Sequence, residues 1–468
     1  MFVDTHAHLT AKEFDADRDA VIARAAEAGV EWIIIPSTTV EDSRRAVALA
    51  EAHRMLRVAV GIHPHEAATA TPEALGAIEA LVRHPSVVAI GEIGLDYHYD
   101  FAPREVQREA FRAQLEIARR YDLPVVIHSR EALEETIALV EESVRAEPSW
   151  RTHRVVPEAR HPAPRGVFHC FPGDANDAWR VIQLGFVVSF PGILTFKNAD
   201  RAREVASSLS LEHLLLETDS PYMAPVPHRG TRNEPAFIGR IAERLAELQG
   251  LSVEDVARST RYGAYRLFGV GEPGPPRITY QLRDSLYVNL TLRCTADCVF
   301  CDRKGEAVIK GHNLRIEEEP SVEQILVEIG DPRRYREIVF CGYGEPTVRL
   351  ETMLEIARRV KQQGGATRLD TNGHGNLIHG RNVVPELAST IDTVSISLNT
   401  ADPVQYGELM RLDASRYFPA MVEFARECVR NFRRVYMTIV DIEGVDVERA
   451  QRLVEDDIGA TFKRRPYF

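Results

Sequence analysis

The chain has 468 residues, 44% of them hydrophobic and 27% charged, with a formal net charge of -12. It can bury a large core and is too long for one ordinary domain. The acidic balance argues against a broadly basic surface that coats nucleic acid, although bound cations would add positive charge that a residue count misses.

Taken in chain order, apolar runs bounded by turn signals fall at Phe2–Asp4, Trp32–Pro36, Arg57–Gly61, Val87–Gly91, Pro124–Ile127, Gly166–Phe168, Phe186–Phe190 and Leu214–Glu217. Helix-period segments such as Asp17–Ala28, Glu41–Ala52, Pro103–Arg120 and Glu234–Leu248 alternate with them. Strand then helix, repeated over residues 1–268, predicts an N-terminal (β/α)8 TIM barrel. The Pro-, Arg- and His-rich stretch Ala146–Arg165 interrupts the rhythm and reads as a surface insertion. Gly269-Val270-Gly271-Glu272-Pro273-Gly274-Pro275-Pro276 can continue neither a helix nor a central strand, which places a Pro/Gly linker at residues 269–284.

A second alternation follows over residues 285–468, with runs at Leu286–Leu292, Glu337–Cys341, Thr367–Thr371, Thr393–Leu398, Arg434–Val440 and Ala460–Lys463. It suits a C-terminal partial (β/α)6 barrel that never closes, and the whole chain is therefore α/β. No apolar run is long enough to span a membrane, and Met1-Phe2-Val3-Asp4 is no signal peptide, so a cytoplasmic location is expected.

In the first half, chemistry-bearing residues sit at strand ends. His6 and His8 are two apart after the first strand, Glu92 follows the fourth, His128 ends the fifth, His169 the sixth and Asp219 the eighth. A barrel gathers such positions at its carboxyl-end face. Imidazoles and carboxylates converging on one cavity make a metal site, and a bridging carboxylate with nitrogen ligands on either side suits two divalent cations, Mg, Mn or Zn, that clamp a phosphodiester displacement. His63 and His65, after the third strand, enter the same rim as substrate-phosphate ligands or as turn-stabilising polar residues.

The motifs Val3-Asp4-Thr5-His6-Ala7-His8-Leu9, Gly91-Glu92-Ile93-Gly94-Leu95-Asp96, Val126-Ile127-His128-Ser129-Arg130, Phe168-His169-Cys170-Phe171 and Leu216-Glu217-Thr218-Asp219-Ser220-Pro221-Tyr222 resemble the TatD family of metal-dependent deoxyribonucleases, within the amidohydrolase-like barrels. The resemblance implies that His6, His8 and Asp219 hold one metal, that His128 and His169 hold the other, and that Glu92 bridges them. Glu92 and Asp219 are then the catalytic carboxylates, with Asp219 or a nearby carboxylate accepting the proton of the attacking water. The substrate would be DNA or another phosphodiester. The alternative is a small phosphoester, amide or lactone.

In the second half, Cys294, Cys298 and Cys301 follow the first strand with the spacing C-x3-C-x2-C. Three thiolates for a four-iron cluster leave one iron open to chelate a small molecule. Zinc competes, with His312 as the nearby fourth ligand. Phe340-Cys341-Gly342-Tyr343-Gly344-Glu345-Pro346 follows the second strand, with small residues that admit close approach and a carboxylate to hold an ammonium group.

Together with the strand count, these features resemble the radical S-adenosylmethionine superfamily. The resemblance implies a [4Fe-4S] cluster on the three cysteines and S-adenosylmethionine against Gly342, Tyr343, Gly344 and Glu345, with Asn372 and Ser395 at its rim. An electron donor such as flavodoxin or ferredoxin would serve the cluster; a binding or electron-transfer module without turnover is the alternative. Tyr343 departs from the commoner Gly-Gly-Glu pattern. Cys341 and Cys428 read as buried structural thiols.

Overall fold

The computed structural model describes residues 1–99, 101–150, 163–442 and 444–466. The chain divides into two compact units that part between Pro273 and Gly274. The central part of the expected insertion, residues 151–162, lies outside the described residues. Among the described residues no helix is long and apolar enough to cross a membrane.

In the first unit, strands β1 (Phe2–Asp4), β2 (Val30–Pro36), β3 (Leu56–Val60), β4 (Val87–Asp96), β5 (Val125–Arg130), β6 (Gly166–Phe168), β7 (Phe186–Phe190) and β8 (Leu214–Leu216) form one sheet in sequence order. Backbone bonds just past the strand ends close it. The Thr5 N–H donates to the Leu216 carbonyl at 3.1 Å, that of Asp219 to His6 at 2.8 Å and that of His8 to Ser220 at 2.8 Å. This closure brings two of the expected ligand segments, from opposite ends of the unit's sequence, side by side.

Each strand gives one buried residue to a cluster of Val3, Ile34, Ala59, Ala89, Val126, Val167, Val187 and Leu215, stoppered by Leu267 and Phe268. These face the barrel interior; the alternate residues pack outward under helices such as Arg104–Arg120, which buries Phe111, Leu115 and Ala118 on one stripe. Period two carries the inward face from Val126 to His128, from Val167 to His169, and from Leu215 to Glu217 and Asp219.

The second unit is a seven-stranded sheet in the order β17-β16-β15-β14-β13-β10-β9. Its strands are β9 (Thr279–Leu282), β10 (Ser285–Val288), β13 (Ile338–Phe340), β14 (Thr367–Thr371), β15 (Thr393–Ser397), β16 (Val435–Asp441) and β17 (Thr461–Pro466). A separate two-residue hairpin pairs β11 (Val308–Ile309) with β12 (His312–Asn313). Six strands run parallel, as an open (β/α)6 partial barrel requires, and β9 adds an antiparallel edge. This edge strand falls inside the stretch read as linker. Leu286, Val288, Phe340, Leu369, Ile396 and Met437 form the core with helix residues such as Met353, Ile356, Met421 and Phe424.

Candidate metal centre and cysteine loop

Glu92 stands at the middle of the first site, almost fully buried, with its two oxygens facing different imidazoles. Oε2 lies 3.4 Å from the Nε2 atoms of both His6 and His8, and each of these is 3.7 Å from Asp219 Oδ1. Oε1 lies 2.8 Å from His128 Nδ1, 2.8 Å from His169 Nε2 and 3.4 Å from His63 Nε2. Six of these seven side chains are the ligands expected from the sequence. The seventh, His63, stands closer to the centre than a rim position implies.

β4 reaches this point because it runs on past Gly91, through an irregularity between Ile90 and Ile93 that turns Glu92 inward. Gly94 takes φ +143°, and a Cβ there would stand 2.0 Å from the His128 carbonyl oxygen, so the close β4–β5 approach that sets Glu92 against His128 requires glycine. Asp219 occupies the left-handed region at φ 54° and is held there by the His6 carbonyl that its N–H meets.

Two carboxylates support the ring from behind, and reading the sequence assigned neither a role. Asp96 Oδ2 lies 3.0 Å from His128 Nε2 and 2.9 Å from His65 Nε2, so His65 is tied to this carboxylate instead of facing Glu92. Glu217 accepts from the Cys170 N–H at 2.7 Å and the Ser189 hydroxyl at 2.6 Å, and its Oε1 is 3.7 Å from His169 Nδ1. His128 and His169 thus each turn one nitrogen to Glu92 and the other toward a carboxylate, the arrangement that fixes metal-ligating imidazoles.

Burial pushes Glu92 toward the neutral form, but the imidazoles around it, the His169 charge foremost, outweigh it and hold the carboxyl well below its ordinary range. Burial, above all, lowers His6 and His63 to about 4 and raises Asp219 to about 8.

The donors fit divalent cations. His6, His8 and Glu92 form one group and His63, Glu92 and His128 another, with all ligand atoms of a group within 4.8 Å of one another. Ligands at 2.0–2.2 Å around one ion stand roughly 3–3.5 Å apart, and the contacts of His6 and His8 with Glu92 at 3.4 Å match that spacing. Among the described residues Glu92 and Asp219 ion-pair only with imidazoles.

Beside the centre, Tyr99 and Phe101 stack with ring centroids 5.2 Å apart. Phe101 is 66% exposed. The Phe101 ring lies 4.9 Å from that of His65, and the Arg130 guanidinium stands 5.0 Å over Tyr99.

In the second unit the three thiols of Cys294, Cys298 and Cys301 lie on one half-buried loop after β10, and none of the six cysteines is in a disulfide. The loop is pinned by Arg303, which donates to the carbonyls of Leu292 at 3.0 Å and Ala296 at 3.1 Å. Asn372 Nδ2 lies 3.6 Å from Cys294 Sγ and donates to the Thr295 hydroxyl at 3.0 Å, so β14 ends against the cysteines. At Gly344 a Cβ would stand 2.1 Å from the Thr291 carbonyl oxygen, and at Gly342 2.5 Å from Asn289 Oδ1. The small residues are required for packing the turn on the cysteine loop. Such a loop, lined by thiols and backed by tight backbone, suits a thiolate-held cluster.

Glu345 is used internally. Its Oε1 accepts from the Thr347 N–H at 3.0 Å and from the Thr347 and Thr371 hydroxyls at 2.6 and 2.8 Å, leaving Oε2, bonded to the Asn372 N–H at 2.8 Å, with spare capacity. Tyr343 donates to the Val308 carbonyl at 2.8 Å, anchoring the β11–β12 hairpin. Ser395 lies mid-strand on β15, paired with Asp370. Cys428 is buried as expected; Cys341 is half-buried.

A closed eight-stranded barrel with an imidazole–carboxylate centre at the carboxyl ends of its strands defines a metal-dependent hydrolase. Residues 3–269 match the TatD related DNase family, to which the chain belongs, and residues 288–456 match the Radical SAM superfamily. The chain is 39% identical over 270 residues to an uncharacterized metal-dependent hydrolase, YabD, of Bacillus subtilis, which spans 58% of this chain and 100% of that protein. It is 33% identical over 272 residues to the 3′-5′ ssDNA/RNA exonuclease TatD of Salmonella typhimurium, spanning 57% of this chain and 98% of that one. The crystal structure of YjjV, a TatD homologue from Escherichia coli, superposes with a TM-score of 0.52 at 34% identity, covering 58% of this chain and 98% of that chain. The protein is thus an enzyme that joins a TatD hydrolase domain to a radical SAM domain, families that imply divalent metals, an iron–sulfur cluster and S-adenosylmethionine.

Proposed function

We propose that the first domain, residues 1–268, hydrolyses phosphodiesters of single-stranded nucleic acid from an end, using two divalent cations. One would be held by His6, His8 and Asp219, the other by His128 and His169, with Glu92 between them. The observation that carries this reading is the division of Glu92, one oxygen toward His6 and His8 and the other toward His128 and His169. When bound, the cations lower the pKa of water and offset the phosphate charge. Asp219, whose Oδ1 lies 3.7 Å from the Nε2 atoms of both His6 and His8, would take the proton of the attacking water. His63 faces the centre with its Nε2 and would orient a phosphate oxygen.

Nucleic acid is favoured over an amide or lactone by the exposed Tyr99–Phe101 pair beside the centre. Aromatic faces of this kind stack bases without sequence preference. The relatives named as ssDNA/RNA exonucleases act in the same sense.

For the second domain, residues 285–468, we propose that Cys294, Cys298 and Cys301 hold a [4Fe-4S] cluster, with S-adenosylmethionine against Gly342–Glu345, Asn372 and Ser395. When bound, cluster and cofactor supply one-electron chemistry that ends in removal of a hydrogen atom from a substrate, with reduction by a ferredoxin or flavodoxin. Asn372 would steady the Cys294 sulfur, and Glu345 Oε2 would receive the cofactor's ammonium group.

Two assays test the pair. The metal-loaded protein should shorten 5′-labelled single-stranded DNA from its 3′ end, and Glu92→Ala should abolish this. Cleavage of lactones or amides alone would support the rival. Anaerobic reconstitution and dithionite should release 5′-deoxyadenosine, and Cys298→Ala should abolish that release while leaving nuclease activity intact.

A further inference from the structure

One face of the second sheet carries charge where a packed sheet would be apolar. Phe340, Leu369, Ile396 and Met437 turn toward the helices and are buried there, so period two sends Cys341, Asp370, Ser397 and Thr438 to the opposite face. On β17, Phe462 packs with the core and Lys463 and Arg465 share that opposite face. A filled barrel interior is made of branched apolar side chains. This one is not.

The charges on it are unevenly matched. Arg368 is ion-paired with Glu337 Oε1 at 3.2 Å and Asp370 Oδ1 at 3.4 Å and donates to the Tyr287 hydroxyl at 3.0 Å, although its Nε makes no hydrogen bond. Lys463 and Arg465 have no carboxylate partner among the described residues. The Lys463 ammonium stands 3.4 Å over the Tyr436 ring, and Arg465 Nη2 donates to Ser397 Oγ at 3.2 Å. Between them lies Thr438, paired in register with Ser397 on one side and Lys463 on the other. Thr438 is 4% exposed, yet its hydroxyl oxygen has no hydrogen-bond partner, and Asp370 Oδ1 has only the ion pair with Arg368 at 3.4 Å. A buried hydroxyl without a protein partner is completed by water or by a ligand. Burial raises both Asp370 and Cys341 toward their neutral forms, and the Arg465 charge offsets part of that.

We propose that this face binds a small anion-bearing molecule, its phosphate or carboxylate held by Lys463 and Arg465 with the Ser397 and Thr438 hydroxyls, and a hydroxyl or amino group of the same molecule meeting Asp370. Two cations with adjacent hydroxyls are the ordinary recognition set for such anions. That this ligand is the substrate of hydrogen-atom removal rests on the radical reading above; that it binds does not.

Equilibrium dialysis of the full-length, cluster-reconstituted protein with S-adenosylmethionine tests it, in a Glu92→Ala background so that the first domain cannot consume the probes. The probes are 2′-deoxyadenosine 5′-monophosphate, ribose 5-phosphate and glutamate, with adenosine as the neutral control. At least one anion should bind and adenosine should not, and the phosphates against glutamate show which anion the site takes. Arg465→Ala should weaken binding about tenfold or more, while Arg464→Ala, on the same strand but facing Asp441, should leave it unchanged. Failure of all three anions, or equal binding by the Arg465 and Arg464 variants, overturns the proposal. Binding that persists in Cys298→Ala, where no cofactor can be cleaved, upholds the site whatever becomes of the radical reading.

Discussion

Asp96 and His128 are joined at 3.0 Å through the ring nitrogen that faces away from the metal centre, while the other nitrogen of the same ring lies 2.8 Å from Glu92. Asp96 therefore holds the orientation of the His128 ring and, with a cation at Nδ1, would keep the proton on Nε2. Removing it as Asp96→Ala should lower metal affinity about 10–100-fold, read by calorimetric titration of Mn²⁺ into metal-free protein. Unchanged affinity would reduce Asp96 to a packing role.

Phe101 offers a contrasting case, because its exposure separates binding from folding. Phe101→Ala should raise KM on single-stranded DNA several-fold, within the roughly 1–3 kcal/mol that one stacked base contributes, with little change in kcat or melting temperature. Kinetics on oligonucleotides decide this. An unaltered KM would place base contacts elsewhere.

Gly344 tests the second domain through its backbone. The Cβ of Gly344→Ala would press on the carbonyl oxygens of Thr291 and Arg293, at 2.1 and 2.8 Å, neither of which can swing aside. Iron content after reconstitution should fall sharply while DNA hydrolysis persists. Full iron loading would mean that the cysteine loop is more compliant than its packing implies.

His374 gives a pH dependence. It is buried between the Thr295 and Tyr406 hydroxyls, each at 2.8 Å, and burial lowers its pKa from 6.5 to about 4. The unfolded chain takes up this proton first as pH falls, so stability present above pH 6.5 drains away down to about pH 4, by about 3 kcal/mol in all. Trp32, Trp150 and Trp179 all lie in the first unit, so their fluorescence reports that unit alone. Amide exchange over residues 367–397 reports the second. Protection there, the ratio of intrinsic to observed exchange rate, should fall between pH 6.5 and 4, and His374→Gln should flatten the change. A flat profile in the unaltered protein would contradict the burial argument.

Much of this was legible in the sequence. Strands buried on both faces are near-continuous apolar runs, so Gly166–Phe168 and Phe186–Phe190 coincide with observed strands to the residue, as do Phe2–Asp4 and the alternating Thr367–Thr371. The convergence of His6, His8, Glu92, His128, His169 and Asp219 followed from their place at strand ends. Asp96 and Glu217 escaped because β4 was read as stopping at Gly91, and because a carboxylate two or four residues from a candidate ligand looks redundant. Period two held the signal, since Glu92 and Asp96, like Glu217 and Asp219, share a strand face. β9 escaped because Thr279–Leu282 has mixed polarity and follows a Pro/Gly stretch. Nothing in the Gly342–Pro346 motif announces that Glu345 spends one oxygen on Thr347 and Thr371, since those bonds depend on how β14 ends.

The central claim is that Glu92 stands between two cations in the first domain. An anomalous difference map from a crystal of the full-length protein soaked in Mn²⁺ tests it most directly. Two peaks are predicted, one against His6, His8 and Asp219 and one against His128 and His169, with an oxygen of Glu92 on each. A single peak, or peaks that leave Glu92 on one side, would contradict the account.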